Sequence, residues 1–504
     1  MSDGTGTRLL RRLARAGRVL GLLAAAIAAP VVADTTLPRS VRLALNTASI
    51  PEASYAAVVM TLDGQTMLSR NAEVAMNPAS VMKLVTTFAA FETLGPAYTW
   101  RTEVHTTGPV LAGRLQGNLV IRGGGDPRLS LEDFWMLLRD VRARGVRDID
   151  GDVILDRSWF AEPDIDPGAF DGRPTRPYNA GPDALLVNFR SVRLTFAPDP
   201  EGKAVRVLME PPLPGINVIS RLTLENNLPC DGWPEDPGVD LPNRTLTFEG
   251  RYPLACGEQT KSFVLLPPAE YAAALFDHLW RNLGGTLRGS VKTGSLDPGA
   301  KLLTGLDSAP LAEIVRDINK NSNNVMTRHL FLTLGRSGGA ATLDGARTAV
   351  TQSLKRAGID APELVMENGA GLSRIERVSA GTLARLLAAA AVLPTGPEFI
   401  ASMPIAAVDG TARRWFRNTP VAGRAHLKTG YLENVRAVAG YVHGVDGRTL
   451  VVVSVVNHPG ARNAVGVQEA LVQWAFENTA SARCCHGMQR ANRKGQSSGP
   501  VVRP

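Results

Sequence analysis

Leu84–Leu94 is a mostly apolar run of eleven residues with no glycine or proline, and it follows directly on Ser80-Val-Met-Lys83. Such a run reads as a buried helix that begins near Pro78 or Ser80. A helix apolar on most sides needs partners around it, so the chain must build layers over this segment. The chain has nine lysines, and only Lys83 has a serine three residues before it. Residues i and i+3 share a helix face, which places the Lys83 amine beside the Ser80 hydroxyl. A serine becomes a nucleophile only with an adjacent base. A lysine can be that base if burial or a nearby positive field lowers its pKa. The positive end of a helix supplies such a field and favours a developing oxyanion. By itself Ser-x-x-Lys is expected about once in a chain this long. What accompanies it decides the reading.

Two further groups stand downstream. Ser322-Asn323-Asn324 interrupts Ile314–Leu334, whose apolar residues have helical spacing. Three small polar residues there predict a turn between two helices, either a plain connection or one whose side chains face a cleft. Lys428-Thr429-Gly430 precedes two β-rich runs, Tyr431–His443 and Thr449–Asn457, joined by an Asp446-Gly447 turn. That pattern is a hairpin, so Lys428 falls on the strand before it. A lysine, a hydroxyl and a glycine on a strand at the edge of a sheet can hold a substrate carboxylate and let its backbone come close. The alternative is a lysine turned to solvent on an edge strand. A second Lys-Thr-Gly stands at Lys292-Thr293-Gly294. It precedes Ser322 and runs into Ser295, Asp297, Pro298 and Gly299, so a surface or linker role is expected for it.

Ser-x-x-Lys, then Ser-x-Asn, then Lys-Thr-Gly, in this order, resemble the motifs of the penicillin-recognising serine enzymes. The chain is similar in particular to the low-molecular-mass class C penicillin-binding proteins, the D-alanyl-D-alanine carboxypeptidase/endopeptidases. The segments that carry this are Asn77–Lys83, Gly124-Gly-Asp-Pro127 with Leu129, Asn319–Asn324, Asn368–Arg374, Met403-Pro-Ile405 and Asp409-Gly-Thr411. They span about Leu43 to Phe476. Two departures stand out: Asn368 and Ala370 where the family commonly has Asp and Ser, and Tyr431 where it often has a small hydroxyl residue. The resemblance implies an α/β (α+β) fold of the β-lactamase/transpeptidase type, an antiparallel sheet flanked by helices. It implies Ser80, Lys83 and Ser322 as catalytic residues, and Asn324, Lys428, Thr429, Gly430 and Tyr431 as substrate-binding ones. The implied substrates are peptidoglycan stem peptides, and the implied inhibitors are β-lactam antibiotics. No cofactor and no metal are expected. Ser80 and Ser322 are separated by 242 residues, and no Glu-x-x-Leu-Asn loop is present. Both features set the chain apart from class A β-lactamases. A β-lactamase-like or esterase-like hydrolase, which fast penicillin turnover would mark, is the first rival. A non-catalytic envelope-binding protein, which would fail to acylate, is the second.

The expected layout follows from texture. Tyr55–Ser69 reads as strand, Asp63-Gly64 turn and strand, and Ala461–Phe476 as a closing amphipathic helix. Strands from both ends of the chain then form one sheet. The stretch between, rich in proline, glycine and short β-like runs, reads as one or two inserted β-rich domains. The division is a signal segment over 1–33, the first part of the transpeptidase-like domain over 34–97, inserted material over 98–302, the second part over 303–480, and a basic disordered tail over 481–504.

The net charge of +8 misleads. Residues 1–33 carry +4 (five arginines against Asp3) and 481–504 carry +5, which leaves about −1 for the body. Nucleic-acid binding is therefore not expected, and membrane association is at most peripheral. Five arginines ahead of the apolar run Val19–Ala29 and small residues before Asp34 read as a secretory signal, hence a periplasmic enzyme. Cys230 and Cys256 flank a stretch rich in Pro, Asp and Asn and can pair in an oxidising compartment. Cys484-Cys485-His486 is too sparse for a metal site.

Overall fold

The computed structural model describes residues 36–479 except 162–164, 200, 202–203, 231–237 and 241–242. The signal segment, the basic tail and Cys484-Cys485-His486 lie outside the described residues.

The central sheet has five antiparallel strands in the order Thr66–Arg70, Tyr55–Thr61, Thr449–Asn457, Val435–His443, Ala425–Leu432. The two ends of the chain meet in it, with Tyr55 opposite Val456 and Thr61 opposite Leu450. Alternation explains why its strands read as unbroken apolar runs. Ala56, Val58 and Met60 face one core with Val451, Val453 and Val455. Tyr55, Ala57 and Val59 face a second core with Leu450, Val452 and Val456. A strand buried on both faces has no polar side to show. Helices Met82–Leu94, Leu311–Asn321, Asn324–Leu334, Leu343–Arg356 and Ala380–Val392 cover the first face. Arg39–Thr47 and Val465–Glu477 cover the second. This is the α/β penicillin-recognising fold expected from the motifs.

The main chain leaves this layer and returns at one place. Strands Arg101–Thr106 and Lys301–Asp307 pair antiparallel, and the Ser308 N–H donates to Trp100 O at 2.8 Å. Between them lie a five-stranded sheet that includes both strands, a small four-stranded sheet and a six-stranded sheet. Helices Leu131–Ala143 and Pro268–Asn282 join them over one shared core, centred on Phe134, Phe196, Phe263, Phe276 and Trp280. The proline- and glycine-rich texture did not announce these helices. Ser130 caps the first, accepting from Asp133 N at 3.0 Å while Ser130 N donates to the Asp133 carboxylate at 3.2 Å. Cys230 and Cys256 are disulfide-bonded, with Cα atoms 4.8 Å apart. In the chain-entropy picture a 26-residue separation makes that bond worth about 3 kcal/mol.

Candidate active site

Ser80 sits in a 3-10 turn, Ala79–Val81, that runs straight into the helix Met82–Leu94. Ala79 has φ 47°, a left-handed conformation that costs an alanine on the order of 1 kcal/mol. Asn77 holds it there. Its Oδ1 accepts from Ala79 N at 2.9 Å and its Nδ2 donates to Ser373 O at 2.9 Å. Asn77 and Asn457 close an amide pair, with Asn77 N donating to Asn457 Oδ1 at 2.8 Å and Asn457 Nδ2 to Asn77 O at 2.9 Å. The turn is thereby tied to the end of a central strand.

Lys83 is fully buried. Its Nζ lies 3.1 Å from Ser80 Oγ and 2.6 Å from Asn324 Oδ1, and it donates to Ala370 O. Burial pushes its pKa well below the ordinary lysine value, and the Lys428 charge pushes the same way. Glu376 opposes them, and Arg328 adds to the lowering. Such an amine spends more of its time neutral, the form a base needs.

The second motif is a break between helices. Ser322 ends Leu311–Asn321 in the left-handed region, at φ 56°. Asn323 caps the next helix, its side chain accepting from Met326 N at 3.0 Å. The break turns Ser322 toward the sheet, where Lys428 Nζ donates to Ser322 Oγ at 2.9 Å. Asn324, the first residue of the new helix, faces Lys83.

Ala425–Leu432 is one of the two edge strands of the central sheet. The solvent-facing alternative for Lys428 is not what the structure adopts, because its side chain is fully buried. Burial lowers its pKa to about 7. Thr429 Oγ1 donates to Thr411 Oγ1 at 2.8 Å. A Cβ at Gly430 would stand 2.6 Å from Pro78 O, so only glycine lets this strand lie against the turn that carries Ser80. Tyr431 is 55% exposed, with the Arg436 guanidinium 4.7 Å from its ring centre. The expected site residues therefore meet where the Ser80 turn, the helix break at Ser322 and the strand Ala425–Leu432 come together, with Tyr431 following Gly430 along that strand, and Lys292 does not join them. It lies on Val291–Thr293 of another sheet, paired with Asp152 at 2.6 Å.

Residues 39–478 match the family described as D-Ala-D-Ala carboxypeptidase 3 (S13). The chain belongs to the D-Ala-D-Ala carboxypeptidase 3 (S13) family. The D-alanyl-D-alanine carboxypeptidase of Actinomadura sp. (strain R39) is 30% identical over 472 residues, covering 88% of this chain and 86% of that protein. D-alanyl-D-alanine carboxypeptidase DacB of Haemophilus influenzae (strain ATCC 51907 / DSM 11121 / KW20 / Rd) is 26% identical over 423 residues, with coverage of 82% and 87%. The crystal structure of penicillin binding protein 4 (dacB) from Haemophilus influenzae aligns with a TM-score of 0.75 at 24% identity, covering 87% of this chain and 99% of that one. That likeness concerns the fold.

The cluster contains groups that sequence reasoning did not assign. Lys320 Nζ pairs with Asp409 Oδ2 at 2.6 Å, and Asp409 Oδ1 accepts from Ile405 N at 2.7 Å. Burial alone would raise the Asp409 pKa, but the Ile405 N–H and the Lys320 ammonium outweigh it and hold it low. This pair carries Thr411 to Thr429 and so couples the second motif to the third. Asp409-Gly-Thr411 and Asn319–Asn324, which contains Lys320, were both legible as family signatures, but the pairing between them was not. Glu376, fully buried behind Lys83, had no sequence signal at all. Among the described residues no cluster of metal-ligating side chains occurs, and no helix is long and apolar enough to cross a membrane.

Proposed function

We propose that the protein hydrolyses the terminal D-Ala-D-Ala bond of peptidoglycan stem peptides through an ester on Ser80, and that it also cleaves the equivalent bond in cross-links. Neutral Lys83 takes the Ser80 proton as Oγ attacks the penultimate D-alanine carbonyl. The oxyanion is received by the backbone N–H groups of Ser80 and Tyr431, a pair of donors of the kind worth about 10²–10³-fold in rate each. Ser322 passes the proton to the departing amine as the C–N bond breaks. Lys428 and Thr429 bind the terminal carboxylate, Gly430 admits the substrate backbone, and Asn324 holds it. Water then cleaves the ester and restores Ser80. β-Lactams acylate the same oxygen and leave slowly. The observation that carries this reading is the buried Lys83 amine 3.1 Å from Ser80 Oγ, beside a second buried lysine that reaches Ser322.

The reading places the enzyme in the periplasm, its first 33 residues removed on export and any contact with the membrane peripheral. It divides the mature chain into a transpeptidase-like domain, 34–97 with 303–480, and inserted material over 98–302. The separate core of the middle stretch supports that division. The test is twofold. Labelled penicillin should attach to Ser80, and Ser80→Ala should abolish attachment; a label mapped to another serine overturns the site. Digestion of cross-linked and uncross-linked muropeptides, read by mass, should show loss of D-alanine and splitting of dimers. Rapid penicillin turnover in place of a stable ester would favour the β-lactamase-like reading.

A further inference from the structure

The loop that contacts the base is built around a buried carboxylate. Glu376 is fully buried. Its Oε1 accepts from Glu367 N at 3.1 Å, Asn368 N at 2.9 Å and Gly369 N at 2.8 Å, and its Oε2 accepts from Gly371 N at 2.9 Å. Four N–H groups converging on one carboxylate fix the whole turn over residues 367–371. Two adjacent residues of that turn touch the groups around Ser80. Ala370 O accepts from Lys83 Nζ. Gly371, at φ 77°, packs so closely that an added Cβ would stand 1.9 Å from Ala79 O, next to the nucleophile. A shift of this loop therefore moves the acceptor of the base and presses on the turn that carries Ser80.

The residue at 368 makes the arrangement particular to this chain. The Asn368 Oδ1 accepts from Ala370 N at 2.9 Å, and its Nδ2 donates to Leu372 O at 2.9 Å. A carboxylate has no such donor, and the family commonly has aspartate here. With aspartate at 368 and glutamate at 376, two carboxylates would crowd one dry loop, and one would have to take a proton. The chain has the amide at 368 and the carboxyl at 376; burial raises the Glu376 pKa above the ordinary glutamate value, and the four N–H groups pull against that rise and favour the carboxylate.

We propose that Glu376 is a positioning residue for the base, carrying in this chain the loop carboxylate that Asn368 lacks, so that the Ala370 carbonyl and the negative field both meet the Lys83 amine. This rests on the assignment of Ser80 and Lys83 above. The charged groups facing Lys83 are Lys428 from the edge strand, Arg328 from the helix Asn324–Leu334 and Glu376 from the loop. Glu376 is the one negative charge in that set, and it favours the protonated amine.

The experiment compares acylation by a labelled penicillin across pH for the wild type, Glu376→Gln and the double variant Asn368→Asp/Glu376→Gln. A wild type that takes no label on Ser80 removes the underlying reading. With labelling established, the outcome bears on Glu376 alone. Glu376→Gln should slow acylation about 10- to 100-fold, the scale of a misplacement of about 1 Å at a reacting group. It should also move the acid limb of the pH profile to lower pH, because loss of the negative charge lets Lys83 shed its proton more easily. The double variant, with one carboxylate restored to the loop, should recover most of the rate and return the limb. A slowed Glu376→Gln enzyme with an unmoved acid limb overturns the proposal, as does an unchanged rate. Should Glu376→Gln fail to fold, the double variant decides. A folded, active double variant with the wild-type limb supports the proposal; one that also fails to fold, or folds without the limb, overturns it.

Discussion

The two Lys-Thr-Gly tripeptides are identical in sequence and each begins on a strand, yet they have opposite characters. Lys428 lies on the edge of a sheet whose strands come from both ends of the chain, and helices cover it. Its amine is buried and reaches Ser322. The Lys292 side chain is 56% exposed and pairs with Asp152. That hydrogen bond holds the Asp152 carboxyl below its ordinary value in open solvent. Lys292 is paired with a carboxylate, whereas the buried Lys428 amine donates to two neutral oxygens, Ser322 Oγ at 2.9 Å and Thr429 O at 2.7 Å. The surroundings decide what the tripeptide does: an ammonium out of water interacts far more strongly with an incoming anion than one already paired at the surface.

Substitution is the strongest way to break that contrast. Lys428→Ala should lower the penicillin acylation rate about 10- to 100-fold, as loss of a charge-assisted hydrogen bond worth roughly 1.5–3 kcal/mol predicts. Stopped-flow labelling checks this, and an unaffected mutant would remove Lys428 from the carboxylate site.

A pH profile sharpens the contrast without changing a residue. Lys428 has a folded pKa of about 7 against an ordinary 10.5. It must be charged to bind a carboxylate, so acylation by free enzyme should fall as the pH rises through about 7. The same shift has a stability consequence. Between about 7 and 10.5 the unfolded chain binds the proton that the folded one has lost. Stability from this group is therefore fully present above 10.5 and is lost as the pH falls towards 7. Lys428→Met should flatten that part of a urea-midpoint profile, and an unaltered slope would contradict the shift.

The middle region should respond to a different lesion. Reducing Cys230–Cys256, or replacing both with serine, should cost about 3 kcal/mol in that region's unfolding. Penicillin acylation should hold near its normal rate. Differential scanning calorimetry with parallel labelling tests the separation, and equal damage to both would show that the site leans on the inserted core. Lys292→Ala should do least. An exposed, solvent-screened pair contributes little to stability, so labelling and melting temperature should stay close to wild type.

Much of the candidate site was legible because the chemistry proposed for it needs residue types at fixed local spacing. Ser80 with Lys83, Ser322 with Asn324, and Lys428-Thr429-Gly430 each occupy one turn or one strand, and the helical and hairpin patterns around them placed those elements correctly. The choice between the two Lys-Thr-Gly copies followed from motif order and from the Asp446-Gly447 hairpin. What stayed hidden depends on contacts over long separations. The Lys320–Asp409 pair spans 89 residues and the Asn77–Asn457 pair 380. Glu376 looks like any surface glutamate in a polar stretch.

The sequence by itself determined the helix that starts near Ser80, the break at Ser322 and the strand that carries Lys428, because periodicity and turn chemistry are local. Only the tertiary structure decided which lysines lose water, which carboxylate stands behind the base, and how closely Gly371 and Gly430 approach the nucleophile turn. Desolvation and close packing belong to neighbours brought in from elsewhere in the chain, and no local pattern records them.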